Sequence, residues 1–94
     1  MMNNSSLLTK IKSSLLIPQN ETFADNEIMM HIESCRELIL SVGVSRDTLE
    51  TSIALTLILM YCKTFFGFKS DGSVRELPNS FYTILNQLAI SSGD

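Results

Sequence analysis

With 94 residues, the chain is long enough for one domain with a modest hydrophobic core. Its composition is 45% hydrophobic and 18% charged, which excludes wholesale disorder, and its four glycines and two prolines favour helices over a turn-rich β fold. The net charge is −3 and the seven basic residues are scattered, so we expect no sequence-specific binding of nucleic acid.

The longest nearly unbroken apolar run, residues 53–62, is about half as long as the roughly 20 residues that a membrane span needs. We therefore expect no membrane association. The polar N-terminus does not resemble a signal peptide, which favours an intracellular protein. In that setting Cys35 and Cys62, which form no C-x-x-C pair, are predicted to be buried, reduced thiols.

The first two helices are predicted from apolar residues at helical spacing. The first extends from about Ser6 to Leu16 and is ended by Pro18, which disfavours helical geometry at the residue before it. The second begins near Ala24 or Asp25 and ends at Val42, where Gly43 can adopt a left-handed conformation. Their apolar stripes contain Leu8, Ile11 and Leu15 in the first helix and Ile28, Ile32, Cys35, Ile39 and Val42 in the second.

The third helix is predicted from Asp47 to about Phe66, because Asp47 and Glu50 have the spacing of a capping box. Apolar residues cover almost its whole circumference. A helix of this kind must be buried on all sides. Since three short neighbours can hardly enclose it, part of its surface is expected to be covered by another subunit.

Residues 67–76 are predicted to form a loop, with a turn or a tiny hairpin at Asp71-Gly72. Pro78 is suited to the first position of a fourth helix, whose apolar stripe contains Phe81, Tyr82, Leu85, Leu88 and Ala89. The expected fold is therefore all-α, a single four-helix domain over residues 1–94, with flexible tails at 1–5 and 91–94.

A search for chemistry finds no catalytic, cofactor or metal site. The lone histidine, His31, is predicted to be a boundary residue with an ordinary hydrogen bond. Cys35 lies four residues later, but no third group is available to orient such a pair. No metal-ligand spacing, nucleophile elbow or phosphate loop is present. We therefore predict that the protein is not an enzyme and has no cofactor.

The features that remain point to interaction. Aromatic residues cluster around the 67–76 loop, and their simplest role is to seal one end of the helical bundle. Alternatively, Phe66 and Phe68, on either side of Gly67, contact a partner protein. Mixed charges on the loop would suit the same role, because binding residues are often carried by loops. The candidate contact residues are Phe66, Phe68, Lys69, Arg75 and Leu77.

Four segments in order resemble the small head-to-tail connector family of tailed phages, whose members are often labelled as DNA-packaging proteins. They are the Leu-Leu-Thr-Lys-Ile-Lys-Ser-Ser-Leu helix at residues 7–15, the acidic start of the second helix at 24–28, the apolar third helix running into Phe65-Phe66-Gly67-Phe68, and Leu77-Pro78 followed by Phe81 and residues 85–88. Together they cover nearly the whole chain.

The resemblance implies an all-α structural subunit that forms a twelvefold ring below the portal of a filled capsid. The ring would extend the channel through which DNA passes and would receive neck and tail-completion proteins. It implies a location in the virion neck, and in the bacterial host cytoplasm during assembly, from a phage or a prophage. No catalytic residues are carried over, because the family has none.

A small dimeric regulatory or antitoxin-like protein is the alternative interpretation. In its helix-turn-helix version Gly43 would form the turn and the third helix would read DNA. That helix is too apolar to face a DNA groove. A stable dimer in solution would favour this alternative, whereas a ring or high oligomer would favour the connector.

Overall fold

The computed structural model describes residues 4–67 and 76–92, and over these ranges the protein is all-α, as predicted. No strand occurs among the described residues. Four α-helices and one short 3-10 helix make up the domain. They are α1 (Asn4–Ser14), α2 (Asp25–Ser41), the 3-10 helix (Arg46–Glu50), α3 (Ser52–Phe65) and α4 (Asn79–Ser92).

The two ends of the domain are more helical than the sequence predicted. α1 already begins at Asn4 and α4 continues to Ser92, so parts of both predicted tails, 1–5 and 91–94, are helical. The expected hairpin at Asp71-Gly72 lies outside the described residues. No described helix has both the length and the apolar character needed to cross a membrane.

The start of α3 differs most from its prediction. Residues 46–50 form a separate 3-10 helix. Thr51, which has an extended backbone (φ −87°, ψ 160°), separates this helix from α3. The Thr51 hydroxyl accepts a hydrogen bond from the Ala54 N–H at 3.2 Å and donates one to the Thr48 carbonyl at 2.7 Å. Thr51 is therefore the cap of α3, and the predicted capping box of Asp47 and Glu50 is wrong.

α3 lies at the centre of the fold. It packs most extensively against α2, and it also contacts α1, α4 and the 3-10 helix. The described residues form a slab of 41 × 32 × 17 Å. The fully buried core combines all four helices and includes Leu7, Ile11, Ile28, Ile32, Cys35, Ile39, Leu57, Ile58, Cys62 and Phe81.

This central position covers most of the apolar surface of α3. The side chains that we expected to need another subunit, such as Leu55 and Leu59, are half-buried against the core. Ile53 is the one large apolar side chain of α3 that is exposed, at 49%. α4 and the 3-10 helix add to the cover given by α1 and α2. Part of the apolar surface of α3 nevertheless stays accessible, and its cover by another subunit stays a prediction.

The connection between α1 and α2 is fixed by a buried cation. Lys12 is only 3% exposed, and its ammonium donates hydrogen bonds to the carbonyls of Gln19 (3.0 Å) and Glu21 (2.6 Å). It also forms an ion pair with Asp25 Oδ1 at 3.0 Å. These three contacts join the second half of α1 to the chain leading into α2, so the connection is held in one conformation.

Candidate interaction site

The predicted contact residues fall at the two ends of the 67–76 loop. Phe66 and Leu77 are described, and both are half-buried against the core. Phe68, Lys69 and Arg75 lie outside the described residues, so their role as contacts stays a prediction. A depression of about 350 Å³ lies where the chain returns into α4, lined by Phe65, Glu76, Leu77, Asn79 and Tyr82.

The start of the loop is held by α2. Phe66 leaves the helix with an extended backbone, and its N–H still donates to the Cys62 carbonyl at 2.8 Å. The next residue, Gly67, has φ +88°, a left-handed conformation that favours glycine. Its N–H donates to the Glu27 carboxylate (Oε2) at 2.8 Å. Glu27 therefore fixes the point from which the loop departs.

His31 completes this corner. Its Nε2 lies 3.3 Å from the same Glu27 oxygen, and its ring faces Tyr61 and Phe65 at centroid distances of 6.2 and 6.3 Å. The predicted boundary histidine with an ordinary hydrogen bond is thus confirmed. Among residues 4–67 and 76–92, no group of three or more His, Cys, Asp or Glu side chains could hold a metal ion.

The described aromatic side chains form a continuous cluster at this end of the bundle. Tyr61 contacts Phe65 and Phe81 at centroid distances of 4.8 and 6.4 Å, and Phe81 contacts Tyr82 edge-on at 5.5 Å. Phe81 is fully buried, whereas Tyr82 is 49% exposed. These four aromatics therefore pack against one another, with Tyr82 at the edge of the cluster, and the sealing role expected of the full aromatic group stays a prediction.

The two thiols face the interface between α2 and α3. Both are free and fully buried, as predicted. Burial raises the pKa of the Cys62 thiol to about 12, and burial together with the neighbouring Cys62 raises the pKa of Cys35 to about 12. Such thiols stay protonated at neutral pH and are poor nucleophiles.

Sequence reasoning missed two exposed apolar residues in the α1–α2 connection. Leu16 is 89% exposed and Phe23 is 76% exposed. Leu16 belonged to the predicted first helix, but α1 ends two residues earlier and Leu16 has a left-handed backbone (φ +63°). Phe23 is an aromatic residue directly after the polar segment 19–22, and this position in the sequence could have indicated an exposed apolar side chain.

A second apolar depression was also missed because it depends on how two helices pack. A groove of about 480 Å³ lies between the first half of α3 and the second half of α4. Its apolar lining consists of Ile53, Ile84 and Leu88. Thr56, Gln87 and Ser91 supply the polar lining.

Comparison with known proteins identifies the family. No significant match to a curated protein or to a solved structure was found. The family described as "Phage connector protein" matches residues 7–94, a span that includes all but the first turn of α1 and the whole of the other helices. This family is structural rather than enzymatic. The chain therefore belongs to the phage connector protein family, the family that its sequence resembles.

Proposed function

We propose that the chain is a subunit of the head-to-tail connector in the virion neck, and that it forms a ring, twelvefold in the assembled particle, under the portal. The ring extends the DNA channel and receives neck and tail-completion proteins. The observation that carries this proposal is the family match over residues 7–94, because it covers every helix rather than one motif.

The charge and surface of the chain are consistent with this role. A net charge of −3 and a sequence without a basic run suit a channel wall past which DNA slides without sticking. Large apolar side chains are exposed at several places, including Leu16, Phe23 and Ile90. Exposed apolar side chains of this kind are available for contact with a neighbouring subunit.

The partner contact is proposed at the base of the 67–76 loop, with Phe66, Phe68, Lys69, Arg75 and Leu77 as its residues. The support is that both described ends of the loop are anchored, at Gly67 by Glu27 and at Leu77 by the core. These two anchors hold the described residues on either side of the proposed contact.

The dimeric regulator is the weaker candidate. α2 ends at Ser41 and α3 begins at Ser52, and a 3-10 helix lies between them. A helix-turn-helix needs a turn of three or four residues at this point. Gly43 does have a left-handed backbone (φ +94°), but it ends α2 and does not join it to a reading helix.

Co-sedimentation tests the proposal. The purified chain is mixed with the portal protein of the same phage, and separately with duplex DNA at physiological salt. The proposal expects the chain to sediment with the portal and not with the DNA. A stable dimer that binds DNA and ignores the portal would instead support the regulator.

A further inference from the structure

We propose that neighbouring copies of this chain contact each other head to tail, with Leu16 and Phe23 of one copy seated in the α3–α4 groove of the next. The inference rests on the proposed function, because it names the contact by which subunits of the connector associate. It assigns a role to two features that the fold of a single chain does not use.

The first feature is the pair of exposed side chains in the α1–α2 connection. Leu16 occupies the left-handed position after α1, which closes with the Ile17 N–H bonded to the Lys12 carbonyl at 2.9 Å and the Leu16 N–H bonded to the Ser13 carbonyl at 3.2 Å. Glycine is the usual residue there. A strained leucine that also exposes 89% of its surface contributes nothing evident to the monomer, and such outliers concentrate at functional contacts.

Hydrogen bonds tie the connection that carries these side chains to α1. Lys12 binds the carbonyls of Gln19 and Glu21, and the Gln19 amide folds back onto α1 to donate to the Thr9 carbonyl at 3.1 Å. Phe23 is followed directly by the buried Ala24. An aromatic side chain displayed from a fixed backbone is a good binding anchor, because little freedom is lost when it is buried.

The second feature is the groove between α3 and α4. Ile53, Ile84 and Leu88 give it an apolar floor, while Thr56, Gln87 and Ser91 can satisfy polar groups at its edge. Its volume is about 480 Å³. The apolar groove and the apolar side chains of the connection are therefore complementary in polarity.

The two features lie at opposite ends of the slab, so they cannot meet within one chain. The Glu27–Gly67 hydrogen bond places the start of α2, and with it Phe23, beside the end of α3. The groove lies at the other end of α3, near Ile53, which is roughly 18 Å away along a helix that rises 1.5 Å per residue. A contact between different patches of identical subunits is head-to-tail and can close into a ring.

The size of the contact argues for a second copy rather than another occupant. An aromatic side chain buries roughly 150–250 Å². Two anchors and the groove walls therefore bury less than the roughly 1,200–2,000 Å² of a stable two-body complex. A contact this small is adequate when many copies are held side by side, where closing the ring makes each further contact intramolecular.

Cysteine cross-linking tests the contact on the full chain. Thr22→Cys, which is exposed beside Phe23 and keeps both anchors, and Gln87→Cys are combined in one variant. A short bis-maleimide is added at high protein concentration and on the portal. The native thiols of Cys35 and Cys62 are buried and do not compete. We expect a ladder of dimers, trimers and higher species from the double variant, and no ladder from either single variant.

Matched variants make the outcome decisive. Met30 is also apolar and exposed, at 58%, but belongs to neither feature, so Met30→Cys with Gln87→Cys should give no ladder. Phe23→Ser should weaken self-association roughly 5- to 30-fold, the effect of losing one anchor, while Met30→Ser should not.

If the wild-type chain joins the portal but the Thr22→Cys/Gln87→Cys variant gives no ladder, the head-to-tail contact is wrong and the connector role stands. Dimers from Thr22→Cys alone would indicate a symmetric contact and would also overturn the proposal. A wild-type chain that ignores the portal contradicts the connector role instead, whatever the ladder shows.

Discussion

The carboxylate of Glu27, in the first turn of α2, accepts a hydrogen bond from the backbone N–H of Gly67, forty residues later in the chain. The same oxygen lies 3.3 Å from His31 Nε2. One side chain thus ties together the start of α2, the end of α3 and the departure point of the loop that carries the predicted partner contacts.

Removing this anchor should loosen the loop more than the core. Glu27→Ala is expected to lower the free energy of unfolding by about 1–2 kcal/mol, because a partly buried N–H loses its acceptor. Glu27→Gln keeps an acceptor oxygen and should lower it less. Urea denaturation measures the stability, and hydrogen exchange measures the protection of the Gly67 amide. Glu33→Ala, an exposed change on the same helix, is the control; an equal loss there would show that the Gly67 contact is unimportant.

Lys12 should matter far more than its neighbour Lys10. Lys12→Met is expected to lower the free energy of unfolding by about 1–3 kcal/mol, because two backbone carbonyls lose their donor and Asp25 loses its cation. Lys10 is exposed, so Lys10→Met should change stability little. Chemical denaturation of both variants decides the matter, and similar values for the two would contradict a structural role for Lys12.

At Leu16, replacement by glycine is expected to be better for stability than replacement by alanine. Its left-handed backbone is strained for any residue with a Cβ atom, so Leu16→Gly should be more stable than Leu16→Ala by about 1 kcal/mol. Both variants remove the exposed apolar side chain, so both should also associate less than the wild type. Thermal unfolding compares the two variants. A glycine variant that is less stable than the alanine variant would show that the strain is absent.

The buried thiols predict a loss of stability at high pH. In the unfolded chain they titrate near their ordinary pKa of 9.0, whereas burial holds the folded pKa near 12. Between these values the unfolded state has released protons that the folded state keeps. The free energy of unfolding should therefore fall as pH rises above about 9, with a slope of up to about 1.4 kcal/mol per pH unit for each thiol.

Replacing both thiols provides the control for this pH effect. The Cys35→Ala/Cys62→Ala variant will be less stable at neutral pH, because it leaves cavities in the core. Its stability should nevertheless fall less steeply between pH 8 and pH 10 than that of the wild type. Urea denaturation at the two pH values gives the difference, and parallel losses in both proteins would rule out the thiols as its source.

The loop contact predicts a contrast between two adjacent aromatics. Phe68→Ser should leave the fold intact and weaken portal binding by about 1–2 kcal/mol, the range for an aromatic anchor. Phe66 packs against the core, so Phe66→Ser should lower the melting temperature as well. Thermal unfolding and a portal pull-down separate these effects. If Phe68→Ser destabilises the chain and portal binding does not depend on this loop, Phe68 is core and the contact proposal fails.

Much of this fold follows from local patterns in the sequence. The periodic apolar stripes predicted the number and order of the helices, and α2 and α4 begin and end within about two residues of their predicted bounds. Gly43 ends α2 in the left-handed conformation that was predicted for it. These features depend on residues that are neighbours along a helix, which a single sequence displays directly.

The features that were missed depend on contacts between distant residues. α3 begins after its Thr51 cap and not at Asp47, because residues 46–50 form a 3-10 helix that buries Thr48 and Leu49. The contacts of Lys12 with Gln19, Glu21 and Asp25, and that of Glu27 with Gly67, depend on the path of the chain between elements. The exposure of Leu16 and Phe23 likewise depends on what the other helices leave uncovered.

Electron cryomicroscopy of the portal mixed with this chain tests the connector role most directly. The account predicts a ring of small helical densities on one face of the portal, coaxial with its channel, with twelve copies that each fit the four-helix slab. A bare portal at saturating concentrations of the chain, with the chain recovered as a free dimer, would contradict it.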